Sequence, residues 1–105
     1  MEFQKIIDRA IKIRKQYEAK EKQLYGSVWT SEEIALGFVG DVGDLAKLIV
    51  AENGKRDITD SKERLAHELA DCLWSVIVLA QIHGVDLENS FMSTMNELEK
   101  HLSEG

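Results

Sequence analysis

The chain contains no proline and a single cysteine, Cys72. Without proline nothing enforces a kink or breaks a backbone ladder, so long uninterrupted helices are open to it. A lone cysteine excludes an intrachain disulfide and suits a reducing, cytoplasmic setting. Basic residues are in deficit, 13 Lys and Arg against 19 Asp and Glu, for a net charge of −6. The basic face that polymer nucleic acid requires is therefore not expected. Long apolar runs are also scarce. The longest, "LADCLWSVIVLAQI", is shorter than a bilayer span and carries Asp71, which predicts no membrane partner. The opening stretch, "MEFQKIIDRAIKIRKQYEAK", has charges every few residues and does not read as a signal peptide.

What remains is a composition of 44% hydrophobic and 30% charged residues spread over 105 positions. That suits one all-α domain spanning residues 1–105 with a modest core. Phe3, Ile6, Ile7, Ala10, Ile13, Tyr17 and Leu24 fall on one helical stripe, predicting a first helix over about residues 2–24. "YGSV" interrupts it. In "WTSEEI", Thr30 and Glu33 form a capping box and Trp29 and Ile34 a hydrophobic staple, so a second helix starts here. It runs to about Ala51 and stops at Asn53-Gly54.

Asp60 with Glu63 predicts a cap for a third helix that ends near His83-Gly84. From Leu69 to Ile82 this helix is apolar nearly all round, which predicts burial from several directions, most simply through oligomerisation. A fourth helix begins near Asp86, with Leu87, Phe91, Met95, Leu98 and Leu102 as its inner stripe. The expected architecture is a four-helix, bundle-like fold.

The chemistry is concentrated in carboxylates. Asp41 and Asp44 are three apart on the second helix, as Glu68 and Asp71 are on the third. Residues at that spacing share a face, and apolar neighbours flank both pairs: Val42 and Leu45, Leu69 and Leu73. Two antiparallel helices packed about 8–10 Å apart bring the pairs together across the seam. Carboxylates so placed repel unless they protonate or hold a cation. All-oxygen donors suit Mg²⁺, with Mn²⁺ as a substitute. A di-iron centre needs Glu-x-x-His pairs, and none of His67, His83 and His101 has a glutamate three residues before it. The glycines of "GFVGDVGDLAKLIV", at positions 37, 40 and 43, predict a slim face that lets a neighbouring helix approach closely.

"GDVGDLAKLI" followed by "HELADCLW" resembles the MazG-like all-α nucleotide pyrophosphohydrolases, whose signature pairs Glu-x-x-Glu with Glu-x-x-Asp on neighbouring helices. Within that family it is most similar to the dCTP pyrophosphatase branch, and "HGVDLENSF" resembles the family's turn into its last helix. The likeness covers roughly residues 25–95. It implies hydrolysis of a (deoxy)nucleoside triphosphate to monophosphate and pyrophosphate by a homodimer or homotetramer, with Asp41, Asp44, Glu68 and Asp71 as catalytic Mg²⁺ ligands, in a role such as nucleotide-pool clearance.

Two positions depart from the pattern. Asp41 and Asp44 replace glutamates, each shorter by about 1.5 Å of reach. The family's Lys-Met-x-x-Asn on the last helix reads Thr94-Met95-Asn96-Glu97-Leu98 here. These departures keep a second reading alongside the enzyme, a metal- or nucleotide-binding module without efficient turnover. A third is an oligomerisation domain whose carboxylates are surface charge.

Four further residues are substrate-binding candidates. Trp29 is placed to stack on a base, with its staple role as the alternative. Lys47 follows the first motif by three residues, and Lys55 and Arg56 form a basic pair in the loop. Trp74 reads as core or interface ahead of pocket lining, and Cys72 as a small core residue.

Overall fold

In the computed structural model, which describes residues 2–104, the chain forms four helices. These are α1 (Phe3–Tyr25), α2 (Ser31–Glu52), α3 (Ser61–Ile82) and α4 (Leu87–Glu104). α1 ends where Gly26 takes the left-handed conformation at φ 78° and donates its N–H to Lys22 O, a C-terminal cap that glycine adopts without steric cost. α2 opens with the predicted capping box. Glu33 N donates to Thr30 Oγ1 at 3.2 Å, and Thr30 N donates to Glu33 Oε1 at 3.0 Å. At the far end Asn53, Gly54 and Lys55 donate back to Ile49, Ala51 and Val50 carbonyls, which closes the helix at the expected place.

The start of α3 differs from expectation. Asp60 adopts φ 55° and ψ 37°, and its side chain caps nothing. An N-cap needs extended backbone so that the side-chain oxygen can reach the first-turn N–H groups. In the left-handed region that geometry is lost. Ser61 instead donates its hydroxyl to Glu52 Oε1 at 2.8 Å, tying the start of α3 to the end of α2. Asp86 does cap α4, accepting from Asn89 N at 3.1 Å.

α3 is the central helix, with α2 packed along it and α1 against it more lightly. The core is small: Ala10 from α1, Ile34 and Leu48 from α2, Ile77 and Val78 from α3. By length and apolar composition α3 is the one described helix able to cross a membrane, which the apolar run alone did not indicate. It is also the helix that both neighbours use as their packing surface, and it carries Glu68 and Asp71.

Two expectations about packing fail within the chain. The α4 stripe is not an inner one: α4 makes no substantial contact with the other helices, and Phe91, Leu98 and Leu102 are exposed, Leu102 at 83%. A radius of gyration of 16.8 Å records this open shape, against about 13 Å for a compact chain of this length. Amphipathicity states that a stripe is to be covered, not which chain covers it. Likewise the glycine face receives no helix of this chain. A Cβ at Gly40 or Gly43 would meet nothing within 4 Å, while at Gly37 it would lie 3.6 Å from the Trp29 ring.

Candidate active site

The α2–α3 seam brings the two carboxylate pairs into one electrostatic neighbourhood. Asp41, Glu68 and Asp71 are half-buried and Asp44 is exposed. Glu68 is the focus. Burial pushes its carboxyl above the usual range, and the charges of Asp41, Asp71 and Asp44 push it further, while His67 opposes them. Its Oε2 is buried with no hydrogen-bond partner. His67 Nε2 lies 3.2 Å from Asp71 Oδ2, one helical turn away. The adjacent Cys72 thiol is likewise pushed up by burial and then by Asp41, Glu68 and Asp71, so it stays protonated at neutral pH.

A partnerless buried carboxyl oxygen among three other carboxylates is the donor chemistry that a hard divalent cation relieves. The residues present therefore fit such an ion. Their side chains are not drawn into a finished shell, however. Among the described residues no group of three or more His, Cys, Asp or Glu side chains is gathered closely enough to hold a metal.

Beside the carboxylates a cleft of about 430 Å³ opens between α1, α2 and α3, within the size range of small-molecule sites. Asp41, His67 and Asp71 form its acidic end and Tyr17, Trp29 and Trp74 its aromatic wall. Trp74 donates Nε1–H to Ala10 O at 3.0 Å, pinning α3 to α1, and its ring lies 5.5 Å from that of Tyr17 at 47°. Trp74 thus lines the cleft as well as packing, where the sequence favoured core or interface over pocket lining. Trp29 is half-exposed at 47% and lines the same wall. Lys47, Lys55 and Arg56 are exposed and lie outside the cleft lining.

Arg14 and Glu21, which also line the cleft, were missed by sequence reasoning. Arg14 is buried at 8% exposure and grips Glu21 through two hydrogen bonds of 2.9 and 3.2 Å. A signal was present: Ala10, Arg14, Tyr17 and Glu21 share one face of α1, so opposite charges interrupt an apolar stripe two turns apart.

A family model described as the MazG nucleotide pyrophosphohydrolase domain matches residues 29–102. The chain belongs to the MazG nucleotide pyrophosphohydrolase family. No curated protein and no solved structure matches it at a significant level. The matched span contains all four carboxylates with Trp29 and Trp74, and it leaves out α1. MazG membership indicates nucleotide pyrophosphohydrolase activity in general, and MazG enzymes are generally dependent on a divalent metal.

Proposed function

We propose that this MazG protein hydrolyses a (deoxy)nucleoside triphosphate between the α and β phosphates, giving the monophosphate and pyrophosphate, with Mg²⁺ as the natural ion and Mn²⁺ as a substitute. The observation that carries the proposal is the partnerless Oε2 of Glu68, whose carboxyl feels the charges of Asp41, Asp44 and Asp71, two of which, Asp41 and Asp71, line the acidic end of an aromatic-walled cleft. Asp41, Asp44, Glu68 and Asp71 would hold the metal. When bound, the ion would supply positive charge that offsets these carboxylates and stabilises negative charge developing in the transition state.

The chain's own residues do the rest. Trp29, Tyr17 and Trp74 offer ring faces to a base. The acidic end rejects an uncompensated triphosphate, so occupancy by nucleotide and by cation rise together. His67 holds the Asp71 carboxylate in place one turn along α3. In the reaction a water oxygen bonds to the α-phosphorus, the bond from that phosphorus to the α–β bridging oxygen breaks, and pyrophosphate leaves. The water proton passes to solvent.

The uncovered stripe of α4, with Leu36, Val39, Leu69 and Leu73, is supplied with a cover if the protein works as a homodimer or homotetramer. The lone half-buried Cys72 suits a cytoplasmic setting.

The alternative, a MazG-fold module that binds without turnover, is favoured by one observation: the carboxylates are not gathered into a shell. A panel of canonical and modified nucleotides with Mg²⁺, read by pyrophosphate release, separates the two. Turnover that disappears in Asp71→Asn supports the enzyme. Binding of nucleotide with Mg²⁺ but no pyrophosphate supports the module.

A further inference from the structure

We infer that Arg14 and Glu21 form a buried ionic clamp whose task is to hold Trp29 as a wall of the cleft, and that through Trp29 they set nucleotide affinity. The affinity arm rests on the nucleotide reading of the cleft; the clamp itself does not. Arg14 Nη1 and Nη2 donate to the two oxygens of Glu21, and both side chains are almost wholly withdrawn from solvent, at 9% and 12% exposure. The pair does not end there. Glu21 Oε1 also accepts from Trp29 N–H at 2.9 Å, and Arg14 Nη2 reaches Trp29 O at 3.4 Å.

Trp29 lies just before the N-cap of α2, where no helix ladder serves its backbone groups. The clamp serves both of them, one with an acceptor and one with a donor. The capping box at Thr30 fixes the next residue, so the backbone is held on either side of the Trp29 Cα. The ring is then directed toward the space left by Gly37 and onto the cleft. α1 lies outside the family match, so the clamp holds a wall of the matched span from a helix beyond it.

A buried ion pair is a poor device for stability alone, since well-packed apolar replacements of similar volume are often as stable or more so. Placement of Trp29 gives the pair a purpose. The distinction is testable because the clamp is directional. In the charge swap Arg14→Glu/Glu21→Arg the ion pair can reform. A donor then faces the Trp29 N–H and an acceptor faces its carbonyl, so both backbone contacts are mismatched.

The experiment uses the full chain in a Trp74→Phe background, where Trp29 is the sole tryptophan. Trp29 emission and acrylamide quenching are compared there in the parent, Glu21→Gln and the charge swap, while the affinity for deoxynucleoside triphosphates with Mg²⁺ and the thermal shift by Mg²⁺ alone are compared with Trp74 intact. The clamp predicts that Trp29 becomes more quenchable in both variants. Nucleotide affinity falls about tenfold, the scale of a lost charge-assisted hydrogen bond, with the Mg²⁺ shift retained and melting restored by the swap. Unchanged Trp29 quenching in Glu21→Gln, or recovery of both quenching and affinity in the swap, overturns the clamp. If the chain with Trp74 intact binds no nucleotide while quenching responds as predicted, the nucleotide reading of the cleft and the affinity arm fall, and the clamp stands.

Discussion

At the residue scale the protein is governed by two glutamates in opposite electrostatic situations. Glu68 is half-buried among like charges with one buried oxygen unserved, and its carboxyl is pushed up. Glu21 is held below the usual carboxylate range: burial works to raise it, but the hydrogen bond from Trp29 N–H, the hydrogen bonds from Arg14 and the Arg14 charge outweigh burial. The sign of each effect on stability follows. Glu68→Gln removes a repelled charge and raises metal-free stability, while abolishing stabilisation by Mg²⁺. Paired thermal melts with and without the ion check both halves. Glu21, with a folded-state value below its unfolded one, contributes stability that is fully present above the unfolded value of about 4.5. That contribution is lost as pH falls through the lower folded value. Glu21→Gln therefore flattens the acid limb of the stability profile, measurable by denaturation at successive pH values.

At the scale of the element, the two helix starts at Thr30 and Asp60 look alike in sequence and behave differently. Thr30→Ala removes the hydroxyl that accepts from Glu33 N and costs about 1 kcal/mol of stability in chemical denaturation. Asp60→Gly gains stability, on the order of 1 kcal/mol, because the left-handed backbone burdens any residue with a Cβ and no cap is lost. The capping box was legible because its partners are three residues apart and need no tertiary context. Asp60 was not, because the loop sets its backbone and the Ser61–Glu52 bond substitutes for a cap. The four helices and the paired carboxylates were legible from periodicity. The aromatic and ionic half of the cleft was not, since Arg14 and Glu21 act on Trp29 from 15 and 8 residues away. The family likeness read in residues 25–95 agrees with a match over 29–102, whereas Lys47, Lys55 and Arg56, chosen for charge alone, lie outside the cleft lining.

For the whole molecule, the open shape is the dominant fact. A chain of 105 residues has buried only a small core and leaves Leu36, Val39, Phe91, Leu98 and Leu102 in solvent. Such surface favours association. If the chain associates as proposed, Phe91→Asp on α4 is expected to lower the association state in sedimentation and the melting temperature at a given concentration. An unchanged association state would remove α4 from the interface. The central claim concerns the seam of α2 and α3, and pyrophosphate release tests it most directly. With Mg²⁺ and a nucleotide panel, the wild-type chain is expected to release pyrophosphate and monophosphate in equal amounts from at least one triphosphate, and Asp71→Asn and Glu68→Gln to release neither. No pyrophosphate from any nucleotide, or release that survives both substitutions, would contradict it.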